Sequence, residues 1–183
     1  MGFAMAVQKQ LHTIEDFKRF VSEPEHEDRL FELINGEIIE VMPGRTSNSQ
    51  IHDIIVAEVR PFCKTYGIVC YTSSTDGAFD VQGSAVAPDF AYKRTPMSND
   101  YPDPVAPVWA VEIISPTDKV GDIRKKRAIY LAAGILLWEI YPEDRNVDVY
   151  APGQSVRTYG IGDAIDMGDI IPGFTLAVSD LFE

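Results

Sequence analysis

The chain has 183 residues, of which 45% are hydrophobic and 10% aromatic, so it can bury a sizeable core. This composition excludes a disordered chain and a small domain held together by disulfides. Acidic residues outnumber basic residues by 28 to 16, and the resulting net charge of −12 argues against nonspecific wrapping of nucleic acid, whose phosphates would be repelled.

No targeting or membrane segment is visible in the sequence. No apolar run approaches the roughly 18–20 residues that span a bilayer, and MGFAMAVQKQ lacks the basic and apolar regions of a secretory signal. The cysteines, Cys63 and Cys70, form no zinc quartet with histidine. We therefore expect a cytoplasmic protein with an N-terminal tail over residues 1–12 and a single domain over residues 13–183.

The first part of the chain predicts two helices around a hairpin. Thr13 followed by Asp16 is typical of a capped helix start. Asn35-Gly36 joins two apolar runs, which is the strongest short signal for a hairpin. After a loop, apolar residues at three- and four-residue spacings predict an amphipathic helix that ends before Gly67, with Ile51, Ile54, Ile55, Val59, Phe62 and Tyr66 on one face.

The rest of the chain predicts mainly short β-strands. They are IVCYT, GAFDV, VAPDFAYK and VWAVEIIS, followed by a helix over residues 122–133 closed by Gly134, and then LLWEIYP and VDVYAP. The closing segment PGFTLAVSDLF is expected to pack across the sheet. This order predicts an α/β or α+β fold in which a central sheet is flanked by helices.

Two acids stand in runs that are otherwise apolar. Glu112 lies in VWAVEIIS, which has the composition of a strand buried on both faces, and Asp89 follows Pro88 in VAPDFAY. An unpaired buried carboxylate is costly, so we infer that both acids converge on one site that holds Mg²⁺ or Mn²⁺. Alternatively, Glu112 could pair with an arginine or reach solvent at a strand end, and Asp89 could cap a turn.

A basic cluster follows these acids, and it comprises Lys119, Arg124, Lys125, Lys126 and Arg127. At about 100° per residue, Lys126 falls at the border of the inward helix face and Lys125 points away from it. Arg127 lies within the inward face and is a rival for an inward role. Lys126, supported by Asp122 four residues before it, is the best candidate to lean toward Glu112. A solvated helix face is the alternative explanation of the cluster.

Several segments in a fixed order over residues 13–182 point to a known family. They are FELINGEI, APDF, VEIISPTD, a D-x-x-x-K-x-x-x-Y motif (Asp122, Lys126, Tyr130), AGILLWEIYP and PGF…DLF. Together they resemble the Uma2 family of restriction-endonuclease-like proteins, a branch of the PD-(D/E)XK nuclease superfamily that is abundant in cyanobacteria. The resemblance implies a mixed central β-sheet flanked by helices. It also implies a metal-dependent endonuclease that acts on nucleic acid, with DNA as the expected substrate.

The resemblance also implies roles for single residues. Asp89 matches the acid of the P-D motif and Glu112 that of the E-x-K motif, so both would bind Mg²⁺ (or Mn²⁺) together with the Ile113 carbonyl. Ile114 occupies the lysine position of E-x-K, which implies that the catalytic lysine has moved to the following helix as Lys126. Glu32 matches an acid that adds a metal ligand, directly or through water.

Substrate contacts are expected from His52 and from the basic residues around Lys126, namely Arg124, Lys125 and Arg127. A histidine on the helix surface or at the core edge is an equally good explanation of His52. Because the net charge is −12, binding should be local to the basic cluster and steeply weakened by salt. Related nuclease folds cut two strands as dimers, so a homodimer is expected by analogy.

Other functions have less support in the sequence. A nuclease-fold protein that binds nucleic acid or a protein partner without turnover is the main alternative, although a pure binder has no chemical need for two acids and a lysine. A serine hydrolase is disfavoured because G-x-S-x-G is missing, and a dinucleotide enzyme because G-x-G-x-x-G is missing.

Overall fold

The computed structural model describes residues 11–42 and 44–183. The predicted N-terminal tail, residues 1–12, lies outside the described residues except for its last two. Of these, His12 donates its backbone N–H to the Gly36 carbonyl at 2.8 Å, so the chain enters along the first hairpin. Within the described ranges, no helix combines the length and the apolar character needed to cross a membrane.

The described residues form three α-helices, two short 3-10 helices and twelve β-strands. The helices are α1 (Ile14–Val21), α2 (Thr46–Tyr66) and α3 (Val120–Ala132), and the 3-10 helices are Pro24–His26 and Val178–Phe182. The strands are β1 (Leu30–Ile34), β2 (Glu37–Val41), β3 (Tyr71–Ser74), β4 (Phe79–Val81), β5 (Ser84–Val86), β6 (Phe90–Lys93), β7 (Trp109–Ile113), β8 (Leu136–Tyr141), β9 (Asn146–Tyr150), β10 (Arg157–Tyr159), β11 (Ala164–Asp166) and β12 (Thr175–Ala177).

The largest sheet is mixed and has the strand order β10-β9-β8-β7-β6-β3. Its parallel pair is β7 and β8, which α3 connects as a crossover helix, and its other pairs are antiparallel. A second, antiparallel sheet has the order β2-β1-β5-β4, and β11 pairs with β12. The predicted α+β class with a mixed sheet is confirmed, but the strands form three sheets rather than one.

The predicted helix and hairpin boundaries are confirmed where a particular residue enforces them. Thr13 and Asp16 form a reciprocal capping box at the start of α1. Asn35 and Gly36 both have positive φ, 51° and 81°, as a two-residue hairpin turn requires. Gly67 ends α2 in the left-handed conformation.

The predicted single strand VAPDFAYK is wrong. β5 ends at Val86 in the second sheet and β6 begins at Phe90 in the large sheet, so the chain crosses between sheets at residues 87–89. Pro88 lies in this crossing and has no backbone N–H to donate to a strand ladder. Asp89 therefore lies immediately before β6 rather than inside a strand.

The two faces of the large sheet pack against different elements. One face packs against α2 and the closing segment through a cluster that includes Ile55, Val59, Trp109, Trp138, Val178 and Leu181. This confirms that the closing segment packs against the sheet. The other face packs against α3 and the second sheet through Ala91, Ala110, Ile129, Tyr130, Leu137 and Val86. The large sheet is thus covered on both faces.

Candidate active site

Strand β7 points Glu112 toward α3. Side chains alternate along a strand, and Ala110, two residues earlier, packs with Ile129 and Tyr130 of α3. Val111 and Ile113 belong to the opposite face, which packs against α2. Glu112 is thus the one charged residue of a strand whose other side chains are buried, and its own side chain is only 14% exposed.

Lys126 of α3 reaches the Glu112 carboxylate. Its Nζ lies 2.8 Å from the Glu112 carboxylate oxygens and 3.4 Å from the Ala87 carbonyl oxygen. Tyr130, one turn further along the same helix face, donates its hydroxyl to Glu112 Oε1 at 2.6 Å. The side chain that helical geometry had selected as the partner of Glu112 is therefore in direct contact with it.

The second sheet contributes another buried acid. Glu32 lies on β1, its side chain is 8% exposed, and its Oε1 is 3.0 Å from Lys126 Nζ. The same oxygen accepts the backbone N–H of Ala87 at 2.7 Å. Lys126 therefore lies between two carboxylates that come from two different sheets.

Asp89, which comes immediately before β6, lies next to the end of β7. Its Oδ2 accepts the backbone N–H of Ile113 at 2.6 Å. Because the N–H and C=O of a strand residue point to the same neighbouring strand, the Ile113 carbonyl lies on the edge that Asp89 occupies. That carbonyl is 3.4 Å from the side-chain amide of Asn48, in the first turn of α2. Asp89 caps this end of β7 in the structure.

Burial and the excess of carboxylates set the charge state of the cluster. Burial raises the pKa of Glu112, with Lys126 opposing this and Asp89 and Glu32 adding to it. Burial likewise raises the pKa of Asp89, whereas the Ile113 N–H and Lys126 act to lower it. Burial alone would lower the pKa of Lys126, but Glu112, Glu32 and Asp89 together raise it. The cluster thus contains three acids and a single ammonium group, so it favours additional positive charge.

The donor set fits a hard divalent cation. Carboxylate oxygens from Glu112, Glu32 and Asp89 and the Ile113 carbonyl are the ligand types that Mg²⁺ and Mn²⁺ prefer. The carboxylates are held apart in the structure, since Lys126 lies between two of them and Asp89 is bonded to β7. Cation binding at these oxygens therefore requires side-chain rearrangement.

The remaining predicted site residues lie around this cluster. His52 of α2 is 19% exposed, contacts Asp53 Oδ1 at 3.1 Å, and its ring centroid lies 6.0 Å from that of Phe90, which follows Asp89. Arg124 is exposed and has no ion-pair partner among the described residues. Lys125 lies 3.4 Å from both Glu37 and Asp122.

Arg127 does not join the cluster. It forms a two-point ion pair with Glu139 of β8, at 2.8 and 2.5 Å, and its guanidinium lies over the Tyr150 ring. Glu139 is 1% exposed and the Arg127 side chain 27% exposed, so Arg127 neutralises a buried carboxylate from a partly exposed position. The inward position predicted for Arg127 is correct, but its partner is Glu139 of β8 rather than an acid of the predicted site.

Two residues that contact the cluster were missed as functional candidates. Tyr130 was part of the motif and of the inward face, but its hydrogen bond to Glu112 was not foreseen. Asn48, whose side-chain amide lies 3.4 Å from the Ile113 carbonyl oxygen, carried no signal in the sequence that marked it as functional. A separate group, Glu23, Glu25 and His26, brings three possible metal-ligand atoms within 4.8 Å of one another in the described part of the chain. Two of its residues are exposed, and His26 Nδ1 is already 2.7 Å from the Phe20 carbonyl.

Comparison with known proteins identifies the family. The family model described as "Uma2: Putative restriction endonuclease" matches residues 14–179. This chain belongs to the Uma2 family. The match includes Glu32, Asp89, Glu112 and Lys126, so the whole cluster lies within the Uma2 region.

A solved structure has the same fold as this Uma2 chain. It is described as a "putative nuclease belonging to DUF820" from Anabaena variabilis ATCC 29413. The two chains are 22% identical, with a TM-score of 0.78, and the alignment covers 93% of this chain and 97% of the other. Comparison with curated proteins gives no match.

Proposed function

We propose that this Uma2 chain is a Mg²⁺- or Mn²⁺-dependent endonuclease that hydrolyses phosphodiester bonds, with DNA as its substrate. The observation that carries the proposal is the cluster of Glu112, Glu32 and Lys126, with Asp89 across the end of β7. Membership in a family whose model is described as "Putative restriction endonuclease" supports it. A homodimer and a cytoplasmic location are part of the same proposal.

The acids would hold the metal ion. Asp89 is bonded to the N–H of Ile113, the residue after Glu112 on β7, and Glu32 of β1 shares the Lys126 ammonium with Glu112. A divalent cation bound there would supply positive charge for the phosphoryl oxygens and lower the pKa of a water molecule. Tyr130 keeps the Glu112 carboxylate oriented by donating to Oε1.

Lys126 would position the attacking water or stabilise the additional negative charge of the pentavalent phosphorus. Its pKa is raised by the surrounding acids, so the side chain stays an ammonium, which suits charge stabilisation better than proton abstraction. Arg124, which is exposed, and Lys125, which lies 3.4 Å from Glu37 and Asp122, are its neighbours on α3 and would contact substrate phosphates. His52 would contact substrate beside Asp89.

Replacing a metal ligand by its amide tests the proposal. Asp89→Asn and Glu112→Gln keep the shape of each side chain and remove its charge, so we expect folded proteins whose cleavage rate falls by more than about 100-fold. The assay follows plasmid and single-stranded DNA with Mg²⁺, Mn²⁺ or EDTA. Glu58→Gln removes an exposed acid of α2 and should cleave like the wild type. Undiminished Mg²⁺-dependent cleavage by either site variant would refute the assignment.

A binding protein without turnover is the second candidate. The observation that favours it is the Lys126 ammonium, which lies directly between Glu112 and Glu32 and partly neutralises them. This candidate predicts that the wild type binds DNA and does not cleave it with either metal. The same assay, combined with a gel-shift measurement, separates the two functions.

A further inference from the structure

The Lys126 ammonium has the surroundings of a bound cation. Its Nζ is within 3.0 Å of both Glu112 and Glu32 and within 3.4 Å of the Ala87 carbonyl oxygen. The ligands come from β7, from β1 and from the segment between β5 and β6, so they surround the ammonium from separate elements. The side chain is 15% exposed, so water screens these contacts weakly.

We propose that Lys126 is a resident counter-ion of the metal site, and that its ammonium competes with the divalent cation for Glu112 and Glu32. The inference rests on the proposed function in one respect, namely that this site takes a metal ion. It adds a specific property, which is that the cation binds only when the ammonium withdraws from these two carboxylates.

The competition follows from distances and charge. Mg²⁺ binds oxygen at about 2.0–2.1 Å, and the ammonium already contacts the oxygens such an ion would use. Two positive charges on the same carboxylates, in a site from which water is largely excluded, repel each other strongly. The exchange is favourable overall because the three acids are only partly neutralised by one ammonium, and a divalent ion neutralises more of their charge.

The helix that carries Lys126 is fixed, so the movement is confined to the side chain. Tyr130 holds α3 to Glu112, and Arg127 holds it to Glu139. The four-carbon stem of lysine lets the ammonium leave the acids without displacing the helix. The withdrawn ammonium stays beside the metal site, where it can meet the substrate phosphate.

Metal binding without nucleic acid tests the proposal. Calorimetric titration with Mn²⁺ compares the wild type with Lys126→Met, which keeps the stem and removes the competing charge. We expect Lys126→Met to bind Mn²⁺ at least about tenfold more tightly, and Mn²⁺ to raise its melting temperature more than that of the wild type. Lys125→Met is the matched control, because it removes the same charge from the preceding residue of the helix, whose side chain is 40% exposed. The Mn²⁺ affinity of Lys125→Met should stay close to the wild-type value.

A measurement on the wild type keeps the proposal testable if Lys126→Met does not fold without metal. In ¹H–¹⁵N spectra of lysine ammonium groups, Mg²⁺ should shift the Lys126 signal and leave the Lys125 signal in place. An unchanged Lys126 signal at saturating Mg²⁺ would overturn the proposal.

The outcomes separate this inference from the function on which it rests. If the wild type and Lys126→Met bind Mn²⁺ equally, and Glu112→Gln does not bind it, the metal site stands and the competition is refuted. If neither the wild type nor Lys126→Met binds Mn²⁺, the metal site fails, and the competition and the proposed metal-dependent cleavage fail with it. Tighter binding by Lys126→Met, but not by Lys125→Met, supports the competition.

Discussion

Each acid of the candidate site has a hydrogen-bond donor from another part of the chain. Glu112 accepts from Tyr130 and Lys126, and Asp89 accepts from the Ile113 N–H. Glu32 accepts from the Ala87 N–H. A buried charge that lacks such donors destabilises the fold by several kcal/mol, so these contacts explain how the fold tolerates three acids so close together. The orientation of each carboxylate follows from the same contacts.

Asp16 shows the same principle at a partly exposed position, and its effect depends on pH. The backbone N–H of Thr13, then the Thr13 hydroxyl and Arg19, lower the pKa of Asp16 from 3.8 to about 2. Because the pKa is lower in the folded state, the stabilisation is present above about pH 4 and is lost as the pH falls toward 2.

We expect Asp16→Asn to be less stable than the wild type at pH 7, and the difference to shrink as the pH falls below 4. Urea unfolding between pH 7 and pH 2 measures it. Glu15→Gln, which removes a charge from the same helical turn, should show a smaller difference at neutral pH. A difference between Asp16→Asn and wild type that is independent of pH would contradict this account of the cap.

At the scale of elements, α3 is attached to the large sheet by two neighbouring ion pairs. Glu112 of β7 and Glu139 of β8 are register partners, so their side chains stand next to each other on the face that packs against α3. The consecutive residues Lys126 and Arg127 form ion pairs with Glu112 and Glu139, respectively. Arg127 thereby fixes the rotation of α3 that points Lys126 at Glu112.

Arg127→Met should therefore destabilise the protein. It leaves the Glu139 carboxylate, 1% exposed, with the Tyr141 hydroxyl but without a cation, and we expect a loss of about 2–3 kcal/mol in the free energy of unfolding. Lys125→Met removes a charge from a partly exposed pair and should cost less than about 1 kcal/mol. Urea unfolding measures both. Equal losses in the two variants would show that the Arg127 pair is not the stronger anchor.

The sequence predicted those features of the elements that depend on local chemistry. Asn35-Gly36 and Gly67 define a turn and a helix end through their own backbone conformations. The contact between Lys126 and Glu112 was predicted from the position of Lys126 around the helix. The position of Asp89 was misjudged because Pro88 divides an apolar run between two sheets. The pairing of Arg127 with Glu139 depends on the parallel register of β7 and β8, which local patterns do not encode.

At the scale of the whole molecule, the site lies where the two main sheets meet. Glu112 comes from the large sheet and Glu32 from the second sheet, and Lys126 bridges them. The site is therefore assembled only when both sheets and α3 have packed together. Composition and periodicity therefore gave no sign of Glu32, because its proximity to Glu112 depends on how the two sheets pack. Its role as a metal ligand was implied by the family resemblance alone.

The central claim is that Asp89, Glu112 and Glu32 form a single metal site. Anomalous diffraction from crystals soaked in Mn²⁺ tests it most directly. We expect a peak bounded by the Asp89 and Glu112 carboxylates, with the Lys126 ammonium displaced from Glu112. A peak only at Glu23, Glu25 and His26, or none near Asp89 and Glu112 at saturating Mn²⁺, would contradict the account.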